Sequence, residues 1–227
     1  MRSTVVRFRH DPGGTLDKVH ARAAGPARGE TYGGQSRQQR AADRRERIVA
    51  AAVRLFAARD YDDVTVADVC ALARVSKRYF YECFADREEL LVSVHREHHD
   101  WLMAGIGAAA PKRPEDLDDL LRPMMAALVR MLAENPERAR VIYINAPRME
   151  RRRRGLLRKD AELLGRFVRP VIPRPRDHAY YDRALLTLIA GVVEIMIDWV
   201  SRGMTDPPDA LVDHLTTLAA SILAGIR

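Results

Sequence analysis

The 227 residues of this chain are 47% hydrophobic and 30% charged, which is ordinary for a soluble globular protein of one large or two modest domains. The formal net charge of +7 favours a polyanionic partner, although charge alone identifies none. Two cysteines, Cys70 and Cys83, have neither the number nor the spacing of a disulfide framework or a zinc site.

Residues 1–42 are rich in Gly, Ser, Gln and Arg and show no sustained apolar period, which predicts a disordered basic arm. Basic residues outnumber acidic ones there, so the arm either adds attraction to phosphates or is an unstructured leader. It lacks the apolar core of a secretory signal peptide, and we therefore expect a cytoplasmic protein.

From Asp43 onward every segment has the apolar period of a helix and none alternates like a strand, so the predicted fold is all-α, with about nine helices. The first helix is predicted over about 44–59. Its apolar residues Ile48, Ala52 and Phe56 fall on one stripe.

Two short helices are predicted next. The second follows Thr65, whose hydroxyl can cap it while Asp68 stands at the third helical position, and it ends near Ala73. The third follows a capping Ser76 and ends near Phe84.

Six further helices are predicted at about 86–107, 115–134, 136–145, 148–170, 178–202 and 207–226. The most apolar run, Ala184 to Val193, is followed by Glu194 and Asp198, so we expect no membrane span.

The third helix carries an unusual block of aromatic residues in VSKRYFYECF. Phe80 and Phe84 share one face and are predicted to be buried, while the outer faces carry Lys77, Arg78, Tyr79 and Tyr81. A cationic outer face suits the major groove of DNA, because Arg and Lys donate to guanine edges and tyrosine hydroxyls bind phosphate. A stacking platform for single strands is disfavoured, because neighbouring helical residues point about 100° apart.

Two short helices joined by a tight break are typical of a helix-turn-helix. The segment RRERIVAAAVRLFAARDYDDVTVADVCALARVSKRYFYECFADREELL, residues 44–91, resembles the DNA-binding domain of the tetracycline-repressor (TetR) family of bacterial regulators. The positions in register are Ile48, Ala52, Leu55, Phe56, Tyr61, Thr65, Val69, Cys70, Val75, Ser76, Tyr81, Phe84, Arg87, Glu88, Leu90 and Leu91.

The resemblance implies roles for individual residues. Tyr81 matches the family tyrosine that usually binds backbone phosphate, and Thr65 and Arg87 match further phosphate contacts. Ser76, Lys77, Arg78 and Tyr79 stand at positions that commonly enter the groove. Tyr79 replaces the threonine of many relatives, so the operator preference does not transfer.

The resemblance also implies an organisation: a helix-turn-helix domain over 43–90 and a ligand-binding and dimerisation domain over 91–227. The expected function is that of a transcriptional regulator, a repressor that binds a palindromic double-stranded DNA operator as a homodimer, associates with the nucleoid there, and is released by an unknown small-molecule effector. The helices at 178–202 and 207–226 would form the dimer interface.

The sequence departs from the family where Asp60 and Arg74 replace glycines. If the turn requires a positive φ at position 74, Arg is strained there by about 1 kcal/mol or more, whereas Asp60 tolerates that region better.

Five residues are candidates for the effector pocket: His98, Trp101, Met125, Tyr143 and Glu194. His95 and His99 lie one helical turn apart, but no third ligand is visible, so we predict no metal site and no cofactor.

The arginine run at 151–154 covers all sides of a helix, and a solvated face or attraction of an acidic ligand is favoured over DNA contact.

Two other functions stay open. A helical enzyme is disfavoured, because no nucleophile with a base, phosphate loop or metal set is visible. The other alternative is a nonspecific DNA-coating protein.

Overall fold

The structure is a computed structural model that describes residues 36–145, 150–172 and 177–226, without the side chains of residues 150–152. These residues form nine α-helices and no strand, which confirms the all-α prediction. The helices are α1 (Arg37–Ala58), α2 (Val66–Ala73), α3 (Lys77–Cys83), α4 (Arg87–Ala109), α5 (Leu117–Ala133), α6 (Pro136–Arg140), α7 (Glu150–Val168), α8 (His178–Ser201) and α9 (Pro208–Ala224).

Two boundaries differ from the predictions. Helix α1 begins at Arg37, so the last residues of the predicted disordered arm are helical. Gln, Arg and Ala have high helix propensity and extend the helix without needing an apolar stripe. The rest of the arm, residues 1–35, lies outside the described residues. The helix predicted at 136–145 is α-helical only to Arg140 and continues as a π-helical segment over Val141–Asn145.

The predicted caps of α2 and α3 are confirmed. The Thr65 hydroxyl accepts from the Asp68 amide, and the Asp68 carboxylate accepts from the Thr65 amide, which forms a complete capping box for α2. Ser76 caps α3 and Asp86 caps α4 by the same kind of side-chain acceptor. These bonds satisfy amides that a helix leaves unpaired, so the short helices begin at fixed residues.

The turn between α2 and α3 contains a strained residue. Arg74 has φ 53° and ψ 49°, the left-handed region that a glycine would occupy without cost. Asp60 has φ −62° and needs no such freedom. Of the two residues that stand where the family has glycine, only Arg74 therefore has a strained backbone.

The buried apolar residues form two clusters. The N-terminal core brings together α1, α2, α3 and the start of α4, and its members include Ile48, Phe56, Val69, Phe80, Phe84, Leu90 and Val94. The C-terminal core is built where α5 packs on α9, α7 on α8 and α4 on α5. Val141 belongs to the N-terminal core although it follows α6, so the two cores meet at the π-helical segment.

Helix α8 is long and apolar enough to cross a membrane by length and composition. It turns Leu188, Met196 and Trp199 into the C-terminal core and exposes Glu194 and Asp198. A core helix of a folded domain passes the same length and composition test, so this is weak evidence for a membrane span.

Candidate nucleic-acid interface and ligand cavity

The outer face of α3 is exposed as the helical pattern predicts. Phe80 and Phe84 are 0% and 3% exposed, whereas Tyr79 and Tyr81 are 39% and 57% exposed. Phe80 meets the ring of Tyr81 edge-to-face at 5.4 Å between centroids. The buried phenylalanines thus hold α3 on the N-terminal core while its opposite side remains open to solvent.

The two cations of this face, Lys77 and Arg78, make few interactions within the protein. Arg78 donates from Nε to Glu82 Oε1 at 3.2 Å, an exposed pair one helical turn apart that contributes little to stability. Lys77 is exposed beside it at the first position of α3. Both cations can therefore turn to a phosphate or a base edge at small cost.

A contact that the sequence did not predict joins α1 to this face. The guanidinium of Arg44 lies over the Tyr79 ring, 4.3 Å from its centroid, in a cation–π contact. Such a contact fixes the ring plane and brings a further positive charge beside α3. Only the three-dimensional packing of α1 on α3 reveals it, because the two residues are far apart in sequence.

Two predicted phosphate contacts have internal partners in the structure. The Thr65 hydroxyl takes part in the capping box and bonds Asp68 Oδ2 at 2.8 Å. The Arg87 guanidinium donates to the carbonyls of Tyr61, at 3.0 Å, and Val64, and it lies 4.1 Å from the centroid of the Tyr61 ring. Arg87 therefore stabilises the turn that precedes α2.

The cysteines are not paired. Cys70 is buried in the N-terminal core, and burial raises the pKa of its thiol. Cys83 is half-buried.

A cavity of about 140 Å³ lies within the C-terminal core, between α4, α5, the π-helical segment, α7 and α8. Its wall is mostly aliphatic and aromatic, with side chains such as Met103, Met124, Leu128, Phe167, Val192 and Ile197. Two of the five residues proposed from sequence, Met125 and Tyr143, line it.

Five polar side chains line this cavity: His95, His99, Tyr143, Arg153 and Asp160. His99 Nε2 lies 3.0 Å from Asp160 Oδ2, and both residues are buried. Burial and the neighbouring His99 lower the pKa of His95 to about 4, although its bond to the Ile142 carbonyl opposes the shift. Burial raises the pKa of Tyr143, and the charge of Asp160 adds to the rise.

The other three candidates lie outside the cavity wall. His98 is buried and lines a groove between α1, α4 and α6, where its Nε2 has no hydrogen-bond partner among the described residues. Trp101 lies under the guanidinium of Arg138, 4.5 Å from the ring centroid. Glu194 is exposed and pairs with Arg153, which itself lines the cavity.

Residues 136–145, here called the connecting segment, contact both the cavity and α1. Ile142 and Tyr143 line the cavity. Arg140 Nε donates to the Ala57 carbonyl at 2.6 Å, and Asn145 Nδ2 donates to the Phe56 carbonyl at 2.5 Å. The cavity wall and the end of α1 are therefore joined by two direct hydrogen bonds.

His95 and His99 stack with their ring centroids 5.8 Å apart, but in the parts of the chain that the structure describes no three His, Cys, Asp or Glu residues are grouped to hold a metal ion. The arginine run is described in part. Within it Arg153 reaches Glu194, while the side chains of residues 151 and 152 lie outside the described set.

Residues 48–94 match the family described as bacterial regulatory proteins, tetR family. This range covers the exposed face of α3 and all of the buried N-terminal core except Val141. No curated protein matches the sequence.

Solved structures share the fold over most of the chain. The fatty acid degradation regulator FadR from Bacillus halodurans is similar with a TM-score of 0.66 and 20% identity, covering 81% of this chain and 96% of that one. A tetR-family transcriptional regulator from Streptomyces coelicolor has a TM-score of 0.63 and 18% identity, with coverages of 81% and 82%. FadR from Bacillus subtilis in complex with stearoyl-CoA has a TM-score of 0.59 and 18% identity, with coverages of 80% and 99%.

Proposed function

Because this chain belongs to the tetR family of bacterial regulatory proteins through its residues 48–94, we propose that it is a DNA-binding transcriptional repressor controlled by a small-molecule effector. The observation that carries the proposal is the exposed outer face of α3, which presents two cations and two tyrosines while Phe80 anchors the helix in the N-terminal core. Such a protein acts in the bacterial cytoplasm, on the nucleoid.

Helix α3 enters the major groove in this proposal. Lys77, Arg78 and Tyr79 face the base edges together with Ser76 at the start of the helix, and Tyr81 donates its hydroxyl to a backbone phosphate. Thr65 and Arg87 are proposed to contact phosphate at the rim. Their hydroxyl and guanidinium have internal partners, so these contacts add to the bonds described above or replace them.

The protein binds DNA as a homodimer through α8 and α9, residues 178–202 and 207–226. Leu218 and Tyr180 are about half exposed, at 50% and 49%, on these two helices. Leu218 lines a groove between α8 and α9, and an exposed large apolar side chain in such a groove favours contact with a second apolar surface. A two-fold dimer presents two α3 helices and therefore requires a palindromic operator with half-sites about one helical turn or slightly more apart.

The effector binds in the C-terminal cavity and changes DNA affinity through the connecting segment. That segment lines the cavity at Ile142 and Tyr143 and holds the end of α1 through Arg140 and Asn145. A ligand that favours one arrangement of the segment shifts the population of dimers whose α3 helices are correctly separated.

Binding to the intergenic DNA beside the protein's own gene tests the proposal. Lys77→Ala and Tyr81→Ala each weaken binding by about 1–3 kcal/mol, measured by fluorescence anisotropy over a series of salt concentrations. Arg166→Ala, an exposed arginine on α7, is the matched control and leaves affinity unchanged. Unchanged affinity in both α3 variants contradicts the groove assignment. Equal affinity for scrambled DNA selects nonspecific coating instead.

A further inference from the structure

The size of the C-terminal cavity restricts what it can hold. At about 140 Å³ it is close to the engineered cavity of about 150 Å³ that binds benzene in another protein, and well below the usual volume of a drug-sized site. Stearoyl-CoA, bound in the FadR structure from Bacillus subtilis, is many times larger than this space. The described cavity therefore fits a molecule of about one six-membered ring.

One end of the cavity offers a free acceptor. Asp160 Oδ2 is bonded to His99, whereas Asp160 Oδ1 has no partner among the described residues. Asp160 is 9% exposed, so little bulk water reaches this carboxyl group. The buried polar atoms without a partner among the described residues are His98 Nε2 and Trp199 Nε1, so Asp160 Oδ1 keeps some accessible surface and can accept a hydrogen bond from a ligand in the cavity.

Tyr143 adds a donor at the same end. Its hydroxyl makes no bond within the described residues, and its pKa is raised by burial and by the nearby charge of Asp160, so it stays protonated. A hydroxyl group is both a donor and an acceptor. It can therefore donate to Asp160 and accept from Tyr143, which neither a methyl group nor an ammonium group can do.

The charges around the cavity disfavour an anion. His95 is uncharged at neutral pH because its pKa lies near 4. Arg153 lines the cavity but is paired with Glu194. A carboxylate ligand would thus meet the carboxyl group of Asp160 with no unpaired cation from the described residues beside it.

We infer that this cavity takes a small, uncharged, largely apolar molecule bearing one hydroxyl group, of the size of a phenol, held by Asp160 and Tyr143. The inference rests on the proposed function only in taking this cavity as the effector site. It commits to a ligand chemistry unlike that of the acyl-CoA bound to the FadR relative.

Calorimetric titration of the purified full-length protein with four compounds tests this chemistry. Phenol is expected to bind at least about tenfold more tightly than toluene, its isostere without the hydroxyl, because a hydrogen bond to a charged group is lost. Benzoate and stearoyl-CoA are expected to bind no more tightly than toluene. Equal affinities for phenol and toluene, or tighter binding of benzoate or stearoyl-CoA than of phenol, overturn the inference.

A pair of variants locates the contact. Asp160→Asn lowers the ratio of phenol to toluene affinity at least several-fold, whereas Glu162→Gln, an exposed change on the same helix, leaves the ratio unchanged. An unchanged ratio in a folded Asp160→Asn protein overturns the assignment of Asp160. If that variant does not fold, the comparison of phenol with toluene in the unaltered protein still tests whether the cavity prefers a ligand with a hydroxyl group.

A parallel measurement separates this inference from the proposed function. Phenol that binds as expected without releasing intergenic DNA contradicts the effector role but supports the ligand chemistry. Release of that DNA by benzoate or stearoyl-CoA, with no effect of phenol, supports the effector role and overturns the ligand chemistry.

Discussion

Asn145 donates its side-chain amide to the backbone carbonyl of Phe56, which lies 89 residues earlier in the chain at the end of α1. Phe56 is completely buried in the N-terminal core, and Asn145 lies two residues after Tyr143, which lines the C-terminal cavity. The bond therefore connects the helix on which α3 packs with the wall of the cavity.

Removing this bond should destabilise the protein measurably. Asn145→Ala leaves the Phe56 carbonyl buried without a donor, which lowers the free energy of unfolding by about 1–3 kcal/mol in urea denaturation. Asn145→Asp has nearly the same shape but places an acceptor against an acceptor, so it should cost at least as much as the alanine. An aspartate variant as stable as the unaltered protein would show that the hydrogen bond contributes nothing.

A double-mutant cycle can measure how much the contact of Arg44 with the Tyr79 ring stabilises the protein. Arg44→Ala and Tyr79→Ala, alone and combined, should reveal a coupling free energy of about 0.5–1 kcal/mol in unfolding measurements, because the contact is partly exposed. Arg47→Ala, an exposed arginine one turn further along α1, combined with Tyr79→Ala provides the additive reference. Additivity in both cycles would mean that the cation–π contact does not stabilise the protein.

The turn of the helix-turn-helix should gain stability from a glycine. Arg74→Gly relieves the left-handed strain and is expected to raise the free energy of unfolding by up to about 1 kcal/mol. Arg74→Ala keeps a Cβ atom in the same backbone conformation and should give no such gain. A glycine variant no more stable than the alanine variant would argue that position 74 carries no strain in solution.

His95 should make the free energy of unfolding fall in mild acid. Its pKa is about 4 when folded against about 6.5 when unfolded, so the unfolded chain binds the proton first and stability falls as the pH drops from 6.5 towards 4. The full difference corresponds to roughly 3 kcal/mol. Above pH 6.5 the imidazole is uncharged in both states and has no such effect.

The variant His95→Gln lacks the titrating group and should show a shallower loss of stability over that range in urea denaturation. His99, Asp160 and His98 also face this site, and burial lowers the pKa of His98 as well, so part of the acid sensitivity remains in the variant. His214→Gln, at an exposed position on α9, should follow the unaltered protein. Identical pH profiles for His95→Gln and the unaltered protein would contradict the buried, uncharged state of His95.

The proposed dimer can be tested at Leu218. Leu218→Lys places a charge in the apolar surface of α9 and should weaken dimerisation by about 3 kcal/mol or more, measured by sedimentation equilibrium. Because Leu218 is half exposed in the single chain, the protomer should stay folded. Glu162→Lys on α7 is the control, and a Leu218→Lys protein that sediments like this control would place the interface elsewhere.

Local rules accounted for the helices and their starts. Capping by Thr65 and Ser76 depends on neighbours in sequence, and the burial of Phe80 follows from a period of four residues. The Arg44–Tyr79 contact and the His99–Asp160 pair join residues that only tertiary packing brings together, so no pattern in the sequence signalled them. Nothing in the sequence distinguished Met125 and Tyr143, which line the cavity, from Trp101, which does not, because that too depends on how the helices pack.

The two bonds from the connecting segment to α1 end on backbone carbonyls, those of Phe56 and Ala57. Every amino acid has that carbonyl, so the link between ligand cavity and DNA-binding helices does not depend on which side chains stand at these two positions. The side chains at positions 56 and 57 can therefore change without removing the acceptors that hold the end of α1 to the connecting segment.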